Sequence, residues 1–172
     1  MNEIFFDRVH PFVPILHQRY YKRRIKQTEI MNDSQVCLQH SMWALASLMS
    51  PQLQHLQQAF YLDAKHMLGN LDLLPNIIDE QAQTEIAQAW VLIAIFESMK
   101  ANHRQAWSSA GRAFRLVQLM RLHELDVMHK DEEEILSENE FVTKEERRRV
   151  LWMAFLLDHL FCMRNNWPIT LS

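Results

Sequence analysis

The clearest pattern in the chain is the stripe Ala106, Ala110, Ala113, Phe114, Val117 and Met120, spaced by threes and fours, with Arg104, Ser108, Arg112 and Arg115 opposite. That period predicts an amphipathic helix, capped by Asn102 and running to about Leu122. Its Ala110-Gly111 step would let another helix approach closely. Two other stretches, 89–96 and 150–157, are apolar for eight residues without a polar face. Each suits one buried length of a core helix and falls far short of the ~20 residues a bilayer requires. The first belongs to a helix from Asp79 or Glu80 to about Lys100. The second belongs to a last long helix, opened by the capping box Thr143-x-x-Glu146 and ending near Met163.

Punctuation supplies the remaining boundaries. Residues 3–10 read as a short helix stopped by Pro11, and Pro14 suits the first position of a second short helix through Tyr20. Asn32, Asp33 and Ser34 offer N-caps for a helix over roughly 35–49. Ser50-Pro51 restarts the chain as a helix to about Leu68, ended by Gly69-Asn70. An acidic connection is expected over about 129–142, with Asp131, Glu132, Glu133, Glu134, Glu138 and Glu140. The sum is an all-α fold of stacked antiparallel helix hairpins, with about six to eight helices. The tetratricopeptide pattern is met only by an isolated Ala110-x-x-x-Phe114.

Composition narrows this further. With 172 residues, 48% hydrophobic and 23% charged, the chain is of single-domain size and globular in character. Two glycines and five prolines are too few for the turns of a sandwich, a barrel or a glycine-looped nucleotide fold. A net charge of −3 lacks the basic excess of a duplex-binding domain. Two cysteines, Cys37 and Cys162, cannot build a multi-thiolate zinc site or a disulfide framework. Asp7 and Arg8 interrupt the N-terminal apolar stretch that a signal peptide needs.

Candidate chemistry is sparse. Asp7-x-x-His10, Asp63-x-x-His66 and Asp126-x-x-His129 each set a carboxylate and an imidazole on adjacent helical turns. None is the Glu-x-x-His of helical di-iron sites, and surface or cap polarity explains them. Cys37 and His40 lie three apart, but nothing electropositive surrounds them, so a core cysteine is the reading. No nucleophile elbow or phosphate loop is present. No catalytic, metal or cofactor residues are therefore assigned, and an enzyme is not expected. The basic stretch Arg19, Lys22, Arg23, Arg24 and Lys26, with Tyr20 and Tyr21, reads as a solvated connection between helices. The alternative is a nucleic-acid contact. The arginine triplet 147–149, beside Glu145 and Glu146, can pair within its helix or with the acidic connection before it. The preferred reading is that one of the three locks a buried Asp158, with His159 beside it tuning that site or marking the core edge.

The segment Glu145-Glu146-Arg147-Arg148-Arg149-Val150-Leu151-Trp152-Met153-Ala154-Phe155-Leu156-Leu157-Asp158 resembles a motif of fungal-specific transcription factors of the binuclear zinc-cluster class. Their middle regulatory domain carries Arg-Arg, a Phe/Leu-Trp pair, an aromatic, then Asp-Arg. Phe5-Phe6-Asp7-Arg8-Val9-His10-Pro11-Phe12-Val13-Pro14-Ile15-Leu16-His17 resembles that domain's opening. Gln88-Ala89-Trp90-Val91-Leu92 resembles its first long core helix, and Trp107-Ser108-Ser109-Ala110-Gly111-Arg112-Ala113-Phe114-Arg115-Leu116 the next. The similarity runs from about residue 4 onward. It departs at Asp158-His159, where the family has Asp-Arg, and at Asn166-Trp167-Pro168, where it has Gly-Arg-Pro.

The resemblance implies that Arg148, Arg149, Trp152, Phe155, Asp158 and Pro168 are structural motif residues. It also implies a nuclear transcription-regulation module acting by protein contact, self-association or effector sensing. Zinc is expected only in the family's six-cysteine DNA-binding head, which this sequence lacks, so no cofactor is expected here and direct DNA binding is not. A small-molecule effector pocket is placed around Trp152, Asp158 and His159. The alternatives are a helical peptide-binding scaffold, or a shortened product without independent activity. The front portion of the domain is what 1–172 resembles. Apolar surface on the last helix and at Trp167 is then expected to be exposed and to favour self-association.

Overall fold

The computed structural model describes residues 1–27, 30–71, 79–126 and 137–170. Those residues are helical apart from short connections, as the composition requires. A single turn, α1 (Asn2–Ile4), leads into a π-helical turn (Phe5–Val9) that buries Phe5, Phe6 and Val9. Residues 11–17 are irregular and also buried at Val13, Ile15 and Leu16. The helices α2 (Gln18–Gln27), α3 (Asp33–Leu48), α4 (Gln57–Leu71), α5 (Glu80–Met99), α6 (His103–Leu119) and α7 (Glu138–Asn165) follow. Short 3-10 turns at Pro51–Leu56 and Leu122–Glu124 join some of them.

Helix α5 is the hub. It packs against α3, α4, α6 and α7, so its length from Thr84 to Ala94 is buried on every side. Asp79 caps it by accepting from the Ala82 N–H at 2.6 Å. Asn32 caps α3 in a full capping box with Gln35. Beside the hub lies a buried ionic cluster that no sequence pattern announces. The Lys65 ammonium sits 3.0 Å from the Glu97 carboxylate and donates to the Ser109 hydroxyl at 2.9 Å. The Tyr61 hydroxyl donates to Glu97 at 2.7 Å. Lys65 and Arg112 lie 5.1 and 4.8 Å from the centroid of the Trp90 ring, within cation–π range.

Several expected boundaries move. Residues 18–20 open α2, so Pro14 starts no helix, and the basic stretch 19–26 is the body of α2 and not a connection. Helix α4 continues through Gly69 and Asn70 to Leu71. Neither glycine has a positive φ, and nothing lies within 4 Å of a Cβ built at Gly111, so that residue serves no close helix approach. Reversals are made instead by Ala101, Arg121 and Asn166, all left-handed. Helix α7 starts at Ser137, in a capping box with Glu140. Thr143 is inside the helix, its hydroxyl donating to the Asn139 carbonyl at 2.9 Å. Glu138 and Glu140 therefore belong to the first turn of α7, and the acidic residues 131–134 lie outside the described residues.

Candidate functional site: the outer face of the last helix

Helix α7 carries two apolar faces. The inner one, with Val142, Val150, Ala154, Leu157 and Phe161, packs on α5 and α6. The outer one carries Phe141, Trp152, Phe155, Leu156, Leu160 and Met163, all exposed, with Trp152 at 61% and Met163 at 82%. From Trp152 onward these residues repeat at three and four, the spacing of an interacting helix stripe. Isolated exposed apolar residues are ordinary, but an aligned row of aromatic and aliphatic side chains marks a contact surface.

The arginine triplet pins the first half of the helix. Arg147 donates to Glu80 at 2.6 Å, across to the start of α5. Arg148 grips Asp126 through two nitrogens at 2.5 and 3.2 Å and donates to Glu145 at 2.6 Å. The hydrogen bonds that Arg148 donates to Asp126 and then to Glu145 raise its already high pKa. Arg149 donates to Glu145 at 2.9 Å and to the Pro14 carbonyl at 3.3 Å. Its hydrogen bond holds the Glu145 carboxyl below the usual carboxylate range. The lock expected between this triplet and Asp158 does not form. Asp158 lies nine residues beyond Arg149 on one helix, about 13 Å along the axis, past the reach of the side chain.

Asp158 has a different task among the residues that surround it. It is fully buried, accepts from the Thr170 N–H at 2.7 Å, and receives the Cys162 thiol at 3.7 Å. The Cys162 thiol also approaches the Pro168 carbonyl at 3.0 Å, and burial, followed by the Asp158 charge, pushes its pKa up. Asn166 turns the chain in the left-handed region, and Trp167 then packs on Trp107 with ring centroids 5.0 Å apart. Trp167 is thus half-buried and not exposed, whereas Ile169 stays exposed.

Between α6, the turn at Leu122–Glu124 and α7 runs a groove of about 560 Å³. Leu122, Leu125, Leu151, Trp152 and Phe155 form its apolar walls, with Arg148 and Asp126 at its rim. The three residues placed in an effector pocket are not brought together. Trp152 lines the groove, and the His159 ring lies tilted against Phe155 with centroids 4.0 Å apart. Asp158 faces the interior, about 120° around the helix from Trp152. Sequence reasoning missed Leu122, Leu125 and Asp126, which no local pattern ties to α7.

The histidine pairs form no cluster. His10 contacts the Leu16 carbonyl at 2.7 Å, and Asp126 serves Arg148. Asp63 faces His40 at 3.8 Å, and His66 faces Asn70 at 3.5 Å. His129 lies outside the described residues. Among the described residues no group of three or more His, Cys, Asp or Glu is placed to hold a metal ion. Cys37 is buried against the Ala64 carbonyl at 3.6 Å, and burial pushes its thiol up to about 12. No described helix is long and apolar enough to cross a membrane.

Residues 3–172 match the fungal specific transcription factor domain, and the chain belongs to that family. It is 52% identical over its full length to the citrinin biosynthesis transcriptional activator mrl3 of Monascus ruber, covering 33% of that protein. It is 46% identical to the ascochitine biosynthesis cluster transcriptional regulator of Didymella fabae, covering 29%. It is 36% identical to the asperfuranone cluster transcription factor afoA of Emericella nidulans, covering 28%. The chain therefore spans about a third or less of the length of these relatives. No solved structure matches it. The family and these relatives are transcription factors, not enzymes.

Proposed function

We propose that the chain is the transcription-regulating segment of a fungal activator serving one biosynthetic gene cluster. It acts in the nucleus through protein contact on the outer face of α7 and does not read bases. The names of the relatives support the cluster-specific role. The observation that carries the contact mode is the aligned exposed row Trp152, Phe155, Leu156, Leu160 and Met163. The same row favours self-association, and the net charge of −3 disfavours a phosphate-binding role. Zinc belongs to a DNA-binding head outside this sequence.

The test places the double substitution Trp152→Glu/Leu156→Glu in a full-length activator that contains this segment. Both side chains are exposed, so the fold persists. Reporter output is expected to fall while protein abundance and promoter occupancy hold. Unchanged output would overturn the reading.

The groove beside this face supports a second mode, effector sensing. Its aromatic walls and charged rim suit a small, largely apolar ligand. An apolar dye that brightens on entering the groove should lose its signal in Phe155→Ala and keep it in Phe12→Ala, whose ring is exposed elsewhere. Equal dye signal in both variants would remove the groove from consideration.

A further inference from the structure

The arm formed by residues 13–27 is fastened to the bundle by polar groups at the seam of α5 and α7. Two buried carboxylates stand there. Glu146 of α7 accepts from the His17 N–H at 2.7 Å, just ahead of α2. Glu85 of α5 accepts from Arg24 at 2.5 Å and from the Ser34 hydroxyl at 2.5 Å, with Gln81 at 3.5 Å. Glu146 is 2% exposed and Glu85 is not exposed at all. Between them Gln88 donates to the Ile15 carbonyl at 2.9 Å and also reaches the Glu146 carboxyl. The Gln88 side-chain oxygen is buried and has no donor.

We propose that Glu146, Glu85 and Arg24 form a proton-operated latch, closed on the arm when Glu146 carries a proton and loosened when that proton leaves. Two ionised carboxylates and one guanidinium would leave an uncompensated negative charge in a site closed to water, which is costly. A proton on Glu146 cancels that charge. Burial, the largest cause, moves the Glu146 pKa to about 7 and outweighs the His17 N–H, the Arg24 charge and Gln88, which pull it down; Glu85 adds to the rise, and burial raises Glu85 as well.

The surrounding groups leave this balance in place. On the arm these are the His17 ring, whose Nδ1 accepts from the Tyr20 N–H, and Tyr21, pushed up to about 12 by burial. Arg23 faces Glu138 at 3.8 Å. On α5, Glu80 is taken by Arg147, and Asp79 caps the helix. On α7, Arg149 is shared between Glu145 and the Pro14 carbonyl.

The sign follows from linkage. A carboxyl raised from 4.5 to about 7 contributes docking that is complete below pH 4.5 and is lost as pH rises through 7. Hydrogen exchange on the 172-residue chain at pH 5.5 and 8, corrected for intrinsic rates, reads the latch at the Tyr20 and Tyr21 amides. Amides of α5 serve as the internal reference. Arm protection is expected to fall on the order of tenfold between the two pH values while α5 holds. Glu146→Gln, a neutral isostere, should remove the fall. Equal arm protection at both pH values in the wild-type chain would overturn the latch whether or not the variant folds. So would a wild-type-sized fall in Glu146→Gln. Arg24→Gln, which removes the cation that holds the Glu146 pKa down, should shift the transition to higher pH, and an unmoved transition would equally count against it.

Discussion

Helices α5 and α7 each contain an eight-residue apolar run, at 89–96 and 150–157, yet the two runs meet different fates. In α5 the run is buried except for the half-buried Ile95. In α7 the same length of apolar sequence leaves Trp152, Phe155 and Leu156 exposed. The difference is in the neighbours. Helix α5 is flanked by α3, α4, α6 and α7, whereas α7 rests on α5 and α6 from one side. An apolar run states what a helix needs to cover; it does not say whether the cover lies within the same chain. In α5 the need is met by the fold, and in α7 it is left as a surface.

Paired truncations give the largest expected contrast. Leu92 of α5 is fully buried, and Leu156 of α7 is 48% exposed. Leu92→Ala should cost about 3 to 5 kcal/mol, from lost burial and the cavity left behind. Leu156→Ala should stay within about 0.5 kcal/mol. Urea unfolding of both variants checks this, and similar costs would break the contrast between the helices.

The charged residues offer a second contrast of intermediate size. The Glu97 carboxylate of α5 is buried and relies on Lys65 and Tyr61. Lys65→Ala leaves it without its cation and should cost about 2 to 3 kcal/mol, at the low end for a broken buried pair because Lys65 is partly exposed. On α7 the Arg148–Asp126 clasp is bidentate, but Asp126 is largely exposed. Arg148→Ala should cost no more than about 1 kcal/mol, and less at high salt. Denaturant midpoints at low and high salt separate the two, and a salt-sensitive Lys65 cost would place that pair nearer solvent than the geometry does.

What the sequence disclosed follows the same division. Helices α5 and α6 were readable because period, run length and cap stand together in a few consecutive residues, as with Asp79 ahead of Ala82. The start of α7 was not, because Ser137-x-x-Glu140 and Thr143-x-x-Glu146 are both valid capping boxes six residues apart. The chain uses the first, and Glu146 is then free to be buried against His17. The basic stretch of α2 misled because its amphipathic partners, Tyr21 and Ile25, are outnumbered by charges. At the candidate site, Trp152 and Phe155 could be named from the motif. The contact from Thr170 to Asp158 could not, since Thr170 contributes a backbone N–H and no side-chain signal. The effector trio failed on helix geometry alone, because residues 152 and 158 cannot share a face.

The smallest effect tests α6, the helix that lies against both α5 and α7. Gly111 sits in its interior with an ordinary helical backbone and no atom within 4 Å of an added Cβ. Glycine there costs about 1 kcal/mol relative to alanine, because it loses more backbone freedom on folding. Gly111→Ala should therefore stabilise the chain by about that amount. Gly69→Ala in α4 should do the same for the same reason. If α6 instead met a neighbour through Gly111, the added methyl would clash and the sign would reverse. A thermal melt of each variant reads that sign directly. A stabilised Gly111→Ala chain would place the contacts of α6 on its alanine stripe, at Ala106, Ala110 and Ala113, which are all fully buried.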